Sequence, residues 1–283
     1  MPARNHPLLQ RYSLTNSITL STGSAPMPYL IYDGVGVLIG GTLPYATASA
    51  WTQGEDLHPI RTADGNALMA IWLMNFTDAS LGAHHELQYS LFVAREPGVV
   101  VPSGTFALID LMAFEPRVRM LCHGLWNNTP VVVAYNSELL GLDARLCASS
   151  ISADGGKFRF AVSDAANGQA LVRGELDQPA RPTPAMLMAL MRAFGWRKLS
   201  ALARMPYAHM QVVNRKNPRL PVNTEAQAYN AADQQIVRAF VPGRDTLTIE
   251  HPLYATSGFV PQFVEHITGI TFVYLNPHNR AGG

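Results

Sequence analysis

DGNALMAIWLMNFTDASLGAHHELQYSLF, residues 64–92, reads as two apolar strands joined through Thr77, Asp78 and Gly82. A D-G turn signal stands just before the first run, ALMAIWLMNF at 67–76. The second, HELQYSLFVA at 85–94, is entered through His84, His85 and Glu86. Both runs are rich in aliphatic, aromatic and β-branched residues and are bounded by turn formers, as strands are. A carboxylate at the mouth of an apolar strand is costly unless it stays near water, is paired, or is neutral. Desolvation would move its pKa up, toward the range useful for proton transfer. Two readings of Glu86 are open on these residues: a strand-end glutamate in solvent or paired with an arginine, and a pocket acid. Successive strand side chains alternate, so 84, 86, 88 and 90 share one face. His84 and Gln88 are then the companions of Glu86, and His85 faces away.

Similar strands follow on both sides of this segment: LIYDGVGVLIGG (30–41), TFALIDLMAF (105–114), PVVVAYN (130–136) and RLCASSIS (145–152). KFRFAVSDAANGQALVRGEL (157–176) places two alternating runs around DAANGQ and reads as a β-hairpin. Strands resume at AHMQVV (208–213), QIVRAFV (235–241) and DTLTIEHPL (245–253), and HITGITFVYLNP (266–277) closes the chain. The exception is 183–205, whose apolar residues approximate helical spacing. Thr183 serves there as N-cap, Pro184 sits in the first turn, and Gly195 is a break or kink. Strands at this spacing without intervening amphipathic helices indicate antiparallel sheets closed on themselves. The expectation is a mainly β (α+β) chain, one domain over 1–283, with 1–26 as a polar surface arm.

Composition narrows the partners. Charged residues make up 14% of the chain against a usual ~25%, and hydrophobic ones 48%, enough for a sizeable core. With a net charge of +1 and no basic run longer than two residues, neither nucleic acid nor an anionic membrane surface is an expected partner. No stretch approaches the ~20 apolar residues of a membrane span, and the N-terminus lacks an apolar core of signal-peptide length. Cys122 and Cys147 form no C-x-x-C pattern and read as buried reduced thiols of a cytoplasmic protein, so no disulfide framework, metal or cofactor is expected.

Asp78, Gly82 and Glu86 fit a strand, a D-x-x-x-G turn and a G-x-x-x-E entry to the next strand. In this the chain resembles the acetoacetate decarboxylase-like superfamily. Downstream, NSELLGLDARL at 136–146 is similar to that family's G-R-E-x-x-G-[FY]-P-K-K, matching at Glu138, Gly141 and Leu146. The resemblance is best over 60–165. It implies a closed β-barrel of curved antiparallel sheets with a few helices around 183–205, a pocket glutamate at Glu86, and a homo-oligomer. It also places Ala144 where the family has its Schiff-base lysine, and Arg145 where a second lysine lowers that amine's pKa. Alanine cannot condense with a ketone, and arginine stays protonated. The chain's three lysines, Lys157, Lys198 and Lys216, read as solvated surface residues.

What remains is a barrel pocket with acid–base groups. Glu86 and His84 suit proton transfer near neutral pH, and Arg145 or Arg119 could hold a carboxylate or enolate oxygen. Trp72, Met74, Gln88, Arg119, His123, Trp126 and Asn127 are the candidate lining. The stretch RMLCHGLWNNTPVVV (119–133) is either a β-turn at GLWNNTP with Trp126 packed at its corner, or part of the pocket rim. His84, His85, Glu86 and His123 make a poor metal set, because adjacent strand histidines point oppositely. The reading leans to a lysine-independent enzyme performing dehydration, isomerisation or cyclisation on a small apolar keto or polyketide-like substrate. The alternatives are a small-molecule-binding protein of the same fold and a decarboxylase with a displaced lysine.

Overall fold

The computed structural model describes residues 6–215 and 224–279. A short helix α1 (Pro7–Arg11) and the hairpin β1 (Asn16–Leu20) and β2 (Gly23–Met27) lead into the long strand β3 (Tyr29–Pro44). After α2 (Tyr45–Trp51) come the two-residue strands β4 (His58–Pro59) and β5 (Arg61–Thr62), then β6 (Asn66–Ala79), β7 (His84–Ala94) and β8 (Val100–Val101). Helix α3 (Ala107–Phe114), β9 (Arg119–Asn127) and α4 (Pro130–Ala134) follow, the last running into a π-helical turn (Tyr135–Leu139). The second half holds β10 (Ala144–Asp154), β11 (Lys157–Asp164), β12 (Ala170–Asp177), α5 (Pro184–Leu202), β13 (Ala208–Val213) and β14 (Thr224–Ala239). It ends with β15 (Thr246–Ile249), α6 (Pro252–Ala255), β16 (Val260–Tyr274) and β17 (His278–Asn279).

Seven strands close into a barrel. β3 pairs with β6, β6 with β7, β7 with β9, β9 with β13, β13 with β14, β14 with β16, and β16 returns to β3. Every step is antiparallel except β9–β13, so the barrel is mixed rather than purely antiparallel. A parallel step needs a long crossover, and the excursion through β10–β12 and α5 supplies it. The far edge of β9 is shared: β13 takes Met120 and Leu121, while β10 takes Leu125, Trp126 and Asn127. From there β10, β11, β12 and β15 run as an antiparallel meander that forms a second layer outside the barrel.

This layering explains the unbroken apolar text of β6 and β7. Strands buried on both faces need hydrophobic residues at every position. The inner face packs Leu38, Leu68, Ala70, Phe92, Leu125, Phe263 and Ile267, with Leu108 and Leu111 of α3 against them. The outer face packs Leu73, Leu87, Tyr89 and Leu121 against Phe158, Phe160 and Leu176 of the second layer.

Several sequence expectations change. TFALIDLMAF and PVVVAYN are helical, not strands: Ala107, Leu108 and Leu111 are buried at helical spacing, and Pro130 starts α4. DTLTIEHPL is a strand only over Thr246–Ile249, because Pro252 opens α6. QIVRAFV is strand only through Ala239, where it forms the far end of β14, whose first half alternates inward alanines, 226 and 228, with outward polar residues. β9 continues through Asn127, so Trp126 stands in a strand and not at a turn corner. The N-terminal segment does more than cover the surface, since Leu20 and Ala25 join the barrel core. Helix α5 follows the sequence closely. The Thr183 hydroxyl accepts from the Met186 N–H at 3.3 Å, and the chain kinks at Gly195. Among the described residues no helix is long and apolar enough to cross a membrane.

Candidate functional site

His84, Glu86, Gln88 and Ser90 alternate onto the inner face of β7, beside the barrel core. In register, Glu86 stands opposite Met74 on β6 and Asn127 on β9, and Gln88 opposite Trp72 and Leu125. Asn127 is fully buried, and its Nδ2 donates to Glu86 Oε2 at 3.0 Å. Asn136 Nδ2 in turn donates to Asn127 Oδ1 at 2.9 Å. Asn136 reaches the barrel because the π-helical turn after α4 buries both it and Tyr135; such turns often reshape functional sites. One amide thus holds one oxygen of the glutamate, and a second amide holds the first. Burial pushes the Glu86 carboxyl up from 4.5 to about 7, opposed by the Asn127 donation.

His84 is also fixed. Its Nδ1 lies 2.8 Å from the Gly82 carbonyl, which can only accept, so Nδ1 carries the proton. Nε2 then accepts from the Tyr29 hydroxyl at 2.5 Å. Burial lowers the imidazole to about 4. The neutral imidazole is therefore the favoured form at pH 7, with both nitrogens engaged. It positions Tyr29, whose own pKa is raised by burial and then by the Glu86 charge. Gln88 Nε2 donates to Ser90 Oγ at 2.6 Å. Among the described residues Trp72 Nε1 is buried without a hydrogen-bond partner, as is the Tyr274 hydroxyl.

A second carboxylate shares the inner face. Glu265 of β16 stands opposite Leu38, and Leu38 opposite Trp72. Burial alone raises it to about 7, and no described residue hydrogen-bonds to it. Sequence reading missed it, although VEH in an apolar strand carries the same signal as Glu86. Tyr29, Tyr135, Asn136 and Tyr274 were missed because they arrive from remote segments.

Four expected residues lie elsewhere. Arg145 is on the outer side of β10, half exposed, 3.0 Å from Asp143 and with its guanidinium 5.8 Å from the Trp126 ring. Trp126 packs into the second layer and donates from Nε1 to Asp164 at 3.3 Å. His123 Nδ1 is 3.0 Å from the Tyr254 hydroxyl, its ring stacks on Trp51, and burial lowers it to about 3. Arg119 sits at the other end of β9, bonded to Glu225 at 2.7 Å. A bulge decides the His123 case. Tyr89 pairs with Gly124 and Ser90 with Cys122, leaving His123 unpaired between them. Without that extra residue, 123, 125 and 127 would share the inner face.

The NSELLGLDARL stretch is also resolved into roles. Ala144 packs against the barrel core. The Glu138 carboxylate accepts from the Ser21 N–H at 2.9 Å and from its hydroxyl, tying down the β1–β2 hairpin. Lys157 pairs with Asp177 at 2.6 Å and Lys198 with Asp110 at 2.5 Å, both away from Glu86. Lys216 lies outside the described residues. Two surface clefts, of about 450 and 530 Å³, lie over the second layer and beneath the start of α5, and neither includes Glu86.

No protein-family model matches the chain, and no curated protein matches it in sequence. Among solved structures it is similar to an acetoacetate decarboxylase from Legionella pneumophila, at 12% identity and a TM-score of 0.59 over 97% of this chain and 95% of that one. It is similar to the enduracididine biosynthesis enzyme MppR complexed with pyruvate, at 13% identity and a TM-score of 0.53 over 92% and 94%. An acetoacetate decarboxylase-like enzyme from Sphingomonas wittichii aligns at 11% identity and a TM-score of 0.50 over 89% and 92%. At such identities the likeness is one of architecture, and the chain has the acetoacetate decarboxylase-like fold.

Proposed function

We propose that this chain is an enzyme that works without a lysine imine and uses Glu86 to move a proton on a small, largely apolar keto or polyketide-like substrate. The observation that carries the reading is the state of Glu86: half-buried on the inner face, held through one oxygen by Asn127, and with its carboxyl raised by desolvation to about 7. A carboxyl with that pKa is present in both forms at pH 7, which suits general acid–base catalysis. As base, the free oxygen takes a proton α to a carbonyl. The enolate oxygen needs a donor, and Trp72 Nε1 and the Tyr274 hydroxyl are donors without partners among the described residues. As acid, protonated Glu86 returns the proton to carbon, giving isomerisation, or to a departing hydroxyl, which leaves as water and gives dehydration.

Diacetone alcohol in D₂O tests this. Deuterium uptake beside the carbonyl, followed by NMR, and mesityl oxide formation, followed in the ultraviolet, are expected for the wild type. Glu86→Gln should slow both by at least about a hundredfold while binding persists. Equal rates in the variant would remove the proposal, and binding without exchange in either protein would favour a pure binding role. Borohydride reduction in the presence of acetoacetate is expected to leave the protein mass unchanged. An adduct on Lys216 would restore the imine route.

A further inference from the structure

Building on the reading of the barrel as the reactive site, we propose that it selects carbonyl compounds bearing no anionic group and binds those with a protonated amine most tightly. The seven barrel strands carry only two cations, Arg119 and Arg238. Both are engaged away from the inner face, Arg119 with Glu225 at 2.7 Å and Arg238 with Asp245 at 2.6 Å. Helices α3 and α4 with its π-helical turn contain no lysine or arginine, and α5, which packs Phe194 on the barrel core, carries only the exposed Arg192 and Arg197 and Lys198, which is paired with Asp110. His84, the basic group beside Glu86, is bonded through both nitrogens.

Against this, two carboxylates face inward. Glu86 on β7 and Glu265 on β16 are separated by β6 and β3, three strand steps of about 4.8 Å round the wall. Both are half-buried, whereas their inward neighbours Leu38, Leu68 and Ala70 are closed. Glu265 has no described hydrogen-bond partner, and a carboxylate left unpaired there is costly until a donor meets it. Independent of the acids, the Tyr274 hydroxyl is unpartnered on a residue only 7% exposed, near enough to Glu86 to feel its charge. The inner face therefore offers donors to a carbonyl oxygen and carboxylates to a cationic or hydroxyl end. A ligand carboxylate on the inner face would meet two like charges and no lysine or arginine of the seven barrel strands turned toward it.

Three small ketones separate the outcomes by calorimetry at pH 8: diacetonamine (cationic), diacetone alcohol (its neutral isostere) and levulinate (anionic). The expected order of affinity is diacetonamine, diacetone alcohol, levulinate, with levulinate at least about tenfold weaker than the alcohol. Glu265→Gln, and Glu86→Gln/Glu265→Gln once its fold is checked by circular dichroism, should compress that order and weaken diacetonamine about tenfold. Levulinate binding as tightly as the alcohol, an order unchanged in the variants, or no binding of any of the three would each overturn the proposal. The ranking is read from binding alone. If the order holds but Glu86→Gln leaves proton exchange intact, the acid–base reading falls by itself. If levulinate binds well and exchange still depends on Glu86, only the charge selection falls.

Discussion

Asn127 decides how far the buried glutamate departs from an ordinary one. Desolvation raises Glu86, and the Asn127 amide is the single donor that opposes it. Asn127→Ala removes the stabilised charge and leaves burial unopposed, so the carboxyl midpoint moves further up from about 7. The pH dependence of deuterium uptake should shift to higher pH, and an unchanged or lower midpoint would separate Asn127 from the acid. Asn136→Ala should shift it the same way but less, because Asn136 acts only by holding Asn127. Glu86 and its strand companions were legible in the sequence because alternation needs only one strand. The amides come from β9 and from the turn after α4, which no local pattern links to β7.

Within elements, two glycines test the backbone argument. A Cβ on Gly41 would lie 2.1 Å from the Val260 carbonyl oxygen, so Gly41→Ala must push β3 and β16 apart. The expected cost is about 1–3 kcal/mol, read from the denaturation midpoint. Gly195 is different. It has φ 66° and ψ 167°, with open space where a Cβ would sit. Gly195→Ala should cost about 1–3 kcal/mol through strain alone, or straighten α5. A neutral result at Gly41 would mean the β3–β16 contact is looser than described. Elements also show why apolar runs mislead: ALIDLMAF and PVVVA are as hydrophobic as a strand, and spacing and the leading proline are the discriminating features.

At the scale of the molecule, the barrel's buried titratable groups set opposing pH limits. Glu86 and Glu265 are raised from 4.5 to about 7, so the folded protein holds protons that the unfolded chain releases. Their contribution is complete below pH 4.5 and is lost as pH rises through 7. His84, His123 and His266 are lowered from 6.5 to about 4, 3 and 4, chiefly by burial. Their contribution is complete above 6.5 and is lost as pH falls toward 4. Thermal unfolding should therefore show a maximum near about pH 6, falling on both sides. Glu265→Gln should flatten the fall toward pH 7 and steepen the rise with pH between about 4.5 and 6. A melting temperature that climbs steadily from pH 6 to 8 would show that the two glutamates are not held neutral.

The sequence by itself determined that the chain is mainly β, that 157–176 is a hairpin and 183–205 a capped helix broken at Gly195, and that Glu86, His84 and Gln88 share a face. Those features rest on turn chemistry and on the period of two, which act between neighbours in the chain. Tertiary structure decided the rest. Closure of the barrel turned β6 and β7 into strands buried on both faces, and the bulge at His123 sent it to the outer layer, where Trp126 already faces by alternation with Leu125 and Asn127. It paired Arg119 with the carboxylate of Glu225, away from Glu86. It also set Glu265, some 180 residues downstream in the chain, on the same inner wall as Glu86. Which residues meet across a closed sheet is fixed by register and long-range pairing, and no local periodicity encodes those.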